Sequence, residues 1–167
     1  MCAGWTPGEV VEVNAVPSSE SSGVVKGDEQ FYTIGDAGGD ALLYTFSELG
    51  EYLGEQRIDG ATNTDWEDLA ATDCPSGTCI FIADIGDNDE TRDTITLWKV
   101  PVTDDARLLA ESCPLVYDDG EARDAEAVLV YPDGAVRVVT KKDSGGKVYF
   151  ARELRCGGDV ATMREES

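Results

Sequence analysis

Three stretches decide how this chain folds: Ser19-Glu20-Ser21-Ser22-Gly23-Val24-Val25, Asp65-Trp66-Glu67-Asp68-Leu69-Ala70 and Asp124-Ala125-Glu126-Ala127-Val128-Leu129-Val130. Each sets a glutamate just before an apolar, strand-forming run. The same order of elements then follows. A second apolar run covers residues 31–36, 79–84 and 136–141, ending 16, 17 and 15 residues after its glutamate, so the register holds. A third covers residues 41–46, 94–100 and 147–151. Outer runs at 54–58, 112–117 and near 160–163 are fainter. Between them stand turns such as Asp36-Ala37-Gly38-Gly39-Asp40 and Pro132-Asp133-Gly134, whose glycines supply the positive φ that hairpins require.

Glu20, Glu67 and Glu126 are 47 and 59 residues apart, close to the length of one four-stranded propeller blade, with an insertion in the second interval. The reading is an all-β, β-propeller-like chain of about three four-stranded antiparallel blades: a partial or half propeller. Its blades span approximately 17–62, 63–118 and 119–167. They follow a segment, residues 1–16, in which 9–16 reads as one extra strand able to close a ring. No stretch keeps apolar residues at i, i+3, i+4 and i+7 for three turns, so helix is expected to be minor. Three blades are fewer than the four to eight that close a ring. The chain is therefore read either as half of a six-bladed propeller or as one partner of a homodimer in which two copies complete the ring.

The segments Glu20-Ser21-Ser22-Gly23, Asp65-Trp66-Glu67-Asp68, Asp84-Ile85-Gly86-Asp87-Asn88 and Asp124-Ala125-Glu126-Ala127 together resemble bacterial secreted six-bladed propeller proteins, of the phytase-like and quorum-regulator-regulated groups. The resemblance covers residues 17–151. It implies acidic residues on inner strands facing a central channel, where such propellers often hold calcium.

The residues support the same cofactor on their own chemistry. Calcium takes six to eight hard oxygen ligands and needs neither imidazole nor thiolate. The candidate metal ligands are Asp84, Asp87 and Asn88 in one turn, with Glu20, Glu67 and Glu126 from the inner strands. The segment from Asp84 lacks the register of an EF-hand. Two other uses compete for these groups. The turn carboxylates can cap backbone N–H groups, and Lys141 or Lys142 can neutralise the glutamates in place of a metal. A calcium-dependent phosphoester or ester hydrolase is the alternative to a binding or scaffold module. The chain has no histidine, so Ser-His and Cys-His pairs are excluded, and paired carboxylates such as Glu67 and Glu126 are what acid–base chemistry would use.

Thirty-four acidic against thirteen basic residues give a net charge of -21, which repels nucleic acid and anionic lipid and leaves a protein or glycan as the expected partner. Cys74 and Cys79 flank the turn Pro75-Ser76-Gly77-Thr78 and are placed for a disulfide. Cys113 and Cys156 are candidates for a second, although four paired thiols allow three patterns. Disulfides point to an extracellular or cell-envelope setting. The start, Met1-Cys2-Ala3-Gly4, shows no secretory signal and no apolar run of transmembrane length, and Cys2 resembles the lipid-carrying residue of a mature lipoprotein. Trp5, Trp66 and Trp98 read as inter-blade packing.

Overall fold

Strand β6 (Gly77–Asp84) is apolar from Cys79 to Ala83 with no alternation, and the reason is that both of its faces are covered. It is the second strand of a four-stranded antiparallel sheet built with β5 (Trp66–Cys74), β7 (Ile95–Pro101) and β9 (Glu111–Tyr117). A sheet of the same design precedes it: β1 (Ser21–Lys26), β2 (Gln30–Gly35), β3 (Leu42–Ser47) and β4 (Tyr52–Asp59). Another follows: β10 (Ala125–Val130), β11 (Val136–Thr140), β12 (Val148–Ala151) and β13 (Ala161–Glu165). The computed structural model describes residues 18, 20–142 and 145–166, so the strand expected at 9–16, Cys2 and Trp5 lie outside the described residues. Among the described residues every regular element is a strand, and no helix is long and apolar enough to cross a membrane. The protein is an all-β, propeller-like stack of three antiparallel blades.

Two dry interfaces hold the stack. Between the first and second blades lie Tyr32, Ile34, Leu43, Ile58, Trp66, Leu69, Ile80, Ile82 and Val100. Between the second and third lie Phe81, Ala83, Ile85, Ile95, Leu97, Leu115, Val128, Val136, Val138, Tyr149 and Met163. Ile80 and Ile82 thus point one way from β6 while Cys79, Phe81 and Ala83 point the other. Each large side chain so buried contributes about 1.5–3 kcal/mol, whereas an exposed ion pair such as Lys26–Glu48 is screened by solvent and adds little. Packing, not charge, holds the blades together. Trp66 is fully buried and donates its indole N–H to the Thr62 carbonyl at 2.9 Å, and Trp98 packs against the same interface.

Polar links reinforce the stack at the inner strands. The Asp68 carboxylate on β5 accepts the Val128 N–H of β10 at 2.9 Å. Gly23 on β1, at φ 65°, lies so close to β5 that a Cβ there would stand 2.9 Å from the Asp68 Cα. Farther out, the Arg123 guanidinium covers the rings of Tyr117 and Tyr149 at 4.8 and 4.7 Å while pairing with Asp119. That pairing holds the Asp119 carboxyl down at about 2, and burial lifts the Tyr117 phenol well above its ordinary range.

The outer rim contains parallel strand pairings that sequence reading did not anticipate. A short strand, β8 (Arg107–Leu109), joins β4 in parallel, and β13 joins β9 in parallel, so the outer strand of blade one is hydrogen-bonded to a segment of blade two and the outer strands of blades two and three to each other. Two disulfides are present, Cys74–Cys79 and Cys113–Cys156. The first closes the β5–β6 hairpin, and the second ties the outer strand of blade two to the β12–β13 connection of blade three.

The two bridges should differ in worth. Their sequence separations are 5 and 43 residues, and loop-closure entropy assigns about 2 and about 4 kcal/mol to loops of those sizes. Cys113→Ala/Cys156→Ala is expected to lower the urea midpoint about twice as far as Cys74→Ala/Cys79→Ala. Equal losses would show that the inter-blade bridge does not constrain the unfolded chain as proposed.

Candidate functional site

Each inner strand begins with a register slip. The pairing of β5 with β6 passes from Trp66 opposite Asp84 to Asp68 opposite Ala83, leaving Glu67 as an extra residue. The β10–β11 pair does the same at Glu126. A bulge of this kind re-aims a side chain out of the sheet, and here it turns two glutamates toward the blade junction. In β1 the slip falls between Ser22 and Val24 instead. The backbone shows why Glu20 differs: its carbonyl accepts the Asp36 N–H, as the Asp65 carbonyl accepts that of Ile85 and the Asp124 carbonyl that of Lys141. Glu20 is therefore the counterpart of Asp65 and Asp124, two residues from the position assigned by counting glutamates.

The residues expected as metal ligands go to different places. Glu20 is exposed beside a cleft of about 250 Å³ that also involves Asp36, Asp40, Leu42 and Tyr44. Asp84 is buried, 2% exposed, and fully engaged: Arg92 Nη2 pairs with its Oδ1 at 2.9 Å, the Asp65 N–H donates to Oδ1 at 3.1 Å and the Trp98 indole to Oδ2 at 3.3 Å. Asp87 is buried too and accepts the Arg92 N–H at 2.7 Å, while its own N–H donates to Asp124 Oδ1 at 2.9 Å. Asn88 is exposed. Glu126 meets Lys141 Nζ at 2.7 Å, and the same ammonium lies 3.6 Å from Asp124. The turn carboxylates thus cap and brace the Asp84–Arg92 loop, and a lysine neutralises the third inner strand.

What remains is a cluster that sequence reading touched only at Glu67. Carboxylate oxygens of Asp36, Asp65 and Glu67 all lie within 4.8 Å of one another. Among the described residues none of the three forms an ion pair with a lysine or arginine. The Gly86 backbone runs against them, and a Cβ there would collide with the Asp65 carboxylate and stand 2.6 Å from Glu67 Oε1. Glycine is what lets the two carboxylates turn inward over the loop. Desolvation, with repulsion from Glu126, Asp65, Asp36 and Asp124, pushes the Glu67 carboxyl up to about 7. Asp65 is raised as well, by desolvation first and then by Asp36 and Asp124, with Arg92 opposing. The signals that could have found this cluster were Gly35-Asp36 at the first turn, the Asp65/Glu67 pair around Trp66, and the Gly after Asp84-Ile85.

No protein-family model matches the chain, and no curated protein matches it at a significant level.

The Glu67 carboxyl fixes the sign of one pH effect. Its folded pKa lies above its unfolded value of 4.5, so the folded state binds the extra proton between those values and stability falls as pH rises from 4.5 to about 7. In chelator, Glu67→Gln should be more stable than the parent at pH 8 and indistinguishable from it at pH 4. A parent midpoint that rises across this window, with no gain from the substitution, would contradict the assignment.

Proposed function

We propose that this chain is an exported, propeller-like binding module, related to the secreted six-bladed propellers, that holds calcium through Asp36, Asp65 and Glu67 and engages a protein or glycan partner. The observation that carries this reading is the convergence of three carboxylates with no basic partner among the described residues, beside two equivalent acidic groups that do have one. Three carboxylates offer up to six hard oxygens, the donor type and number calcium takes, and Gly86 leaves them room. The repulsion that raises Glu67 is what a divalent cation would offset. Asp84 and Glu126, paired with Arg92 and Lys141, stand outside the ligand set.

Export is supported by the two disulfides, which persist in an oxidising compartment. A binding role is favoured over hydrolysis because Glu126, the second carboxylate an acid–base pair would use, is occupied by Lys141.

Selective binding to the folded state stabilises it by mass action. Calcium at a hundredfold excess over Kd should raise the unfolding midpoint by about 5–10 °C for a domain of this size. Asp65→Asn and Glu67→Gln should each abolish the rise, whereas Glu20→Gln should leave it. No shift in the parent, or an equal shift in Glu67→Gln, would sink the calcium reading.

A further inference from the structure

Two clefts meet on the seam between blades one and two, at the end of the strands opposite the acidic junction. One, of about 400 Å³, lies between the β1–β2 turn at Asp28 and Glu29 and the β5–β6 turn at residues 76–78. The other, of about 380 Å³, lies between the first residues of β4 and the β7–β8 connection, residues 102–106. Gln30, Tyr32 and Val102 line both, so the two form one groove. Its floor holds a polar group without a partner. Thr45 on β3 is registered between Tyr32 on β2 and Gly54 on β4. Gly54 has no side chain, and a Cβ there would meet nothing within 4 Å, so the groove reaches down to Thr45. Thr45 is 8% exposed, and among the described residues its hydroxyl has no hydrogen-bond partner. A buried hydroxyl left in that state opposes folding unless a group entering the cleft completes it.

The two ends of the groove are acidic and its middle is not. Asp28 and Glu29 stand at one end, Asp104 and Asp105 at the other, all four exposed, and no lysine or arginine lines either cleft. Asp28 accepts the Thr78 hydroxyl at 3.4 Å and Asp105 the Thr103 hydroxyl at 3.1 Å, and among the described residues none of the four forms an ion pair. Between them run Tyr32 and Val102, with Leu53, 52% exposed, at the lip. The Tyr32 hydroxyl donates to Gln30 Oε1 at 3.3 Å, which leaves the Gln30 amide nitrogen without an acceptor among the described residues. Gln56 Nε2 donates to the Thr103 and Asp105 carbonyls at 2.8 and 2.7 Å and holds the acidic lip in place.

We infer that this groove binds an extended basic segment of a partner polypeptide. Lysine or arginine side chains reach the carboxylates at the two ends, and their aliphatic stems lie along Val102 and Leu53. A peptide carbonyl accepts from the Gln30 amide, and the peptide backbone completes the Thr45 hydroxyl. A linear polyamine would satisfy the carboxylates but offers Gln30 no acceptor. A sugar is poorly served, because the one aromatic ring lining the groove, Tyr32, is 6% exposed and has no free face to stack on. Nor does this chain supply the segment from its own start, since residues 1–17 contain two glutamates and no lysine or arginine. The inference rests on the reading of the chain as a binding module and needs no calcium.

The test is fluorescence anisotropy of a labelled ten-residue peptide of alternating lysine and serine, titrated with the oxidised chain at about 0.15 M salt, where diffuse attraction between exposed charges is screened. The parent should bind it saturably, one peptide per chain. Asp28→Asn/Asp104→Asn should weaken binding at least tenfold and Thr45→Val three- to tenfold. Glu20→Gln/Asp40→Asn, which removes the same charge elsewhere, should change it less than twofold. Absence of saturable binding, equal losses in the two double variants, parental affinity in Thr45→Val, or spermine binding as tightly as the peptide would each overturn the inference. Affinity should be the same in chelator and in calcium, so a failure of the calcium reading leaves it standing, whereas binding that appears only with calcium would move the peptide to the acidic junction and overturn the groove. If a variant does not fold, amide chemical shifts of the parent on adding the peptide decide the matter: changes centred on residues 28–32, 45 and 102–106 support the groove, and changes confined elsewhere overturn it.

Discussion

Strand β6 has no polar residue between Cys79 and Ala83 because it has no wet side, and that double burial is the constraint on which the other elements depend. A four-stranded sheet of this size hides one face by curling over a core and both only by being stacked. Once blade two must be covered twice, blade one and blade three are fixed as its neighbours. The same demand explains the close approach at Gly23 and the link from Asp68 to the Val128 N–H, since inner strands converge where sheets pack around an axis.

Convergence has an electrostatic cost. Strand starts rich in Asp and Glu meet where the blades come together, and each pair of like charges held there opposes folding. The chain offsets this unevenly. Arg92 reaches Asp84 and also donates to the Gly86 and Asp84 carbonyls, so one side chain braces the whole Asp84–Arg92 loop. Lys141 serves Glu126 and Asp124. Blade one has no such residue: at the end of β2, where blade three places Lys141, it has Asp36. The unpaired group at the first junction follows from that single difference between repeats, with Asp36 joining Asp65 and Glu67 across the blade boundary.

The fold was legible because strand runs recur in a constant order and their buried faces obey period two or, in blade two, no period at all. The inner three strands of each blade were placed within one or two residues, except that β5 runs on four residues past Ala70 to Cys74, and both disulfides join the cysteines singled out. The parallel joins at the rim were not legible, since β8 is a three-residue strand whose pairing is set by where β4 ends up and not by any pattern of its own. The site was legible only in part. Counting from glutamate to glutamate assumes that the bulge sits at the same place in each inner strand, and in β1 it sits one residue later, which moves Glu20 out and brings Asp36 in. Asp84 and Asp87 looked like ligands because they are acidic and adjacent. Their oxygens are spent on Arg92 and on backbone N–H groups, and sequence does not say which carboxylates a loop has already satisfied.

Separation of charge along the chain links these observations. If the acidic surplus served solubility alone, it would be spread over all three blades, yet blade three is close to neutral while the other two carry nearly all of the excess. Nor does local pairing require this, for Arg164 lies 3.9 Å from Asp118 on a largely exposed side chain and gains little there. The acidic junction at Asp36, Asp65 and Glu67 adjoins the blade-one cleft through the shared Asp36, so a cation held at the junction would also lower the negative potential felt by the cleft's own carboxylates.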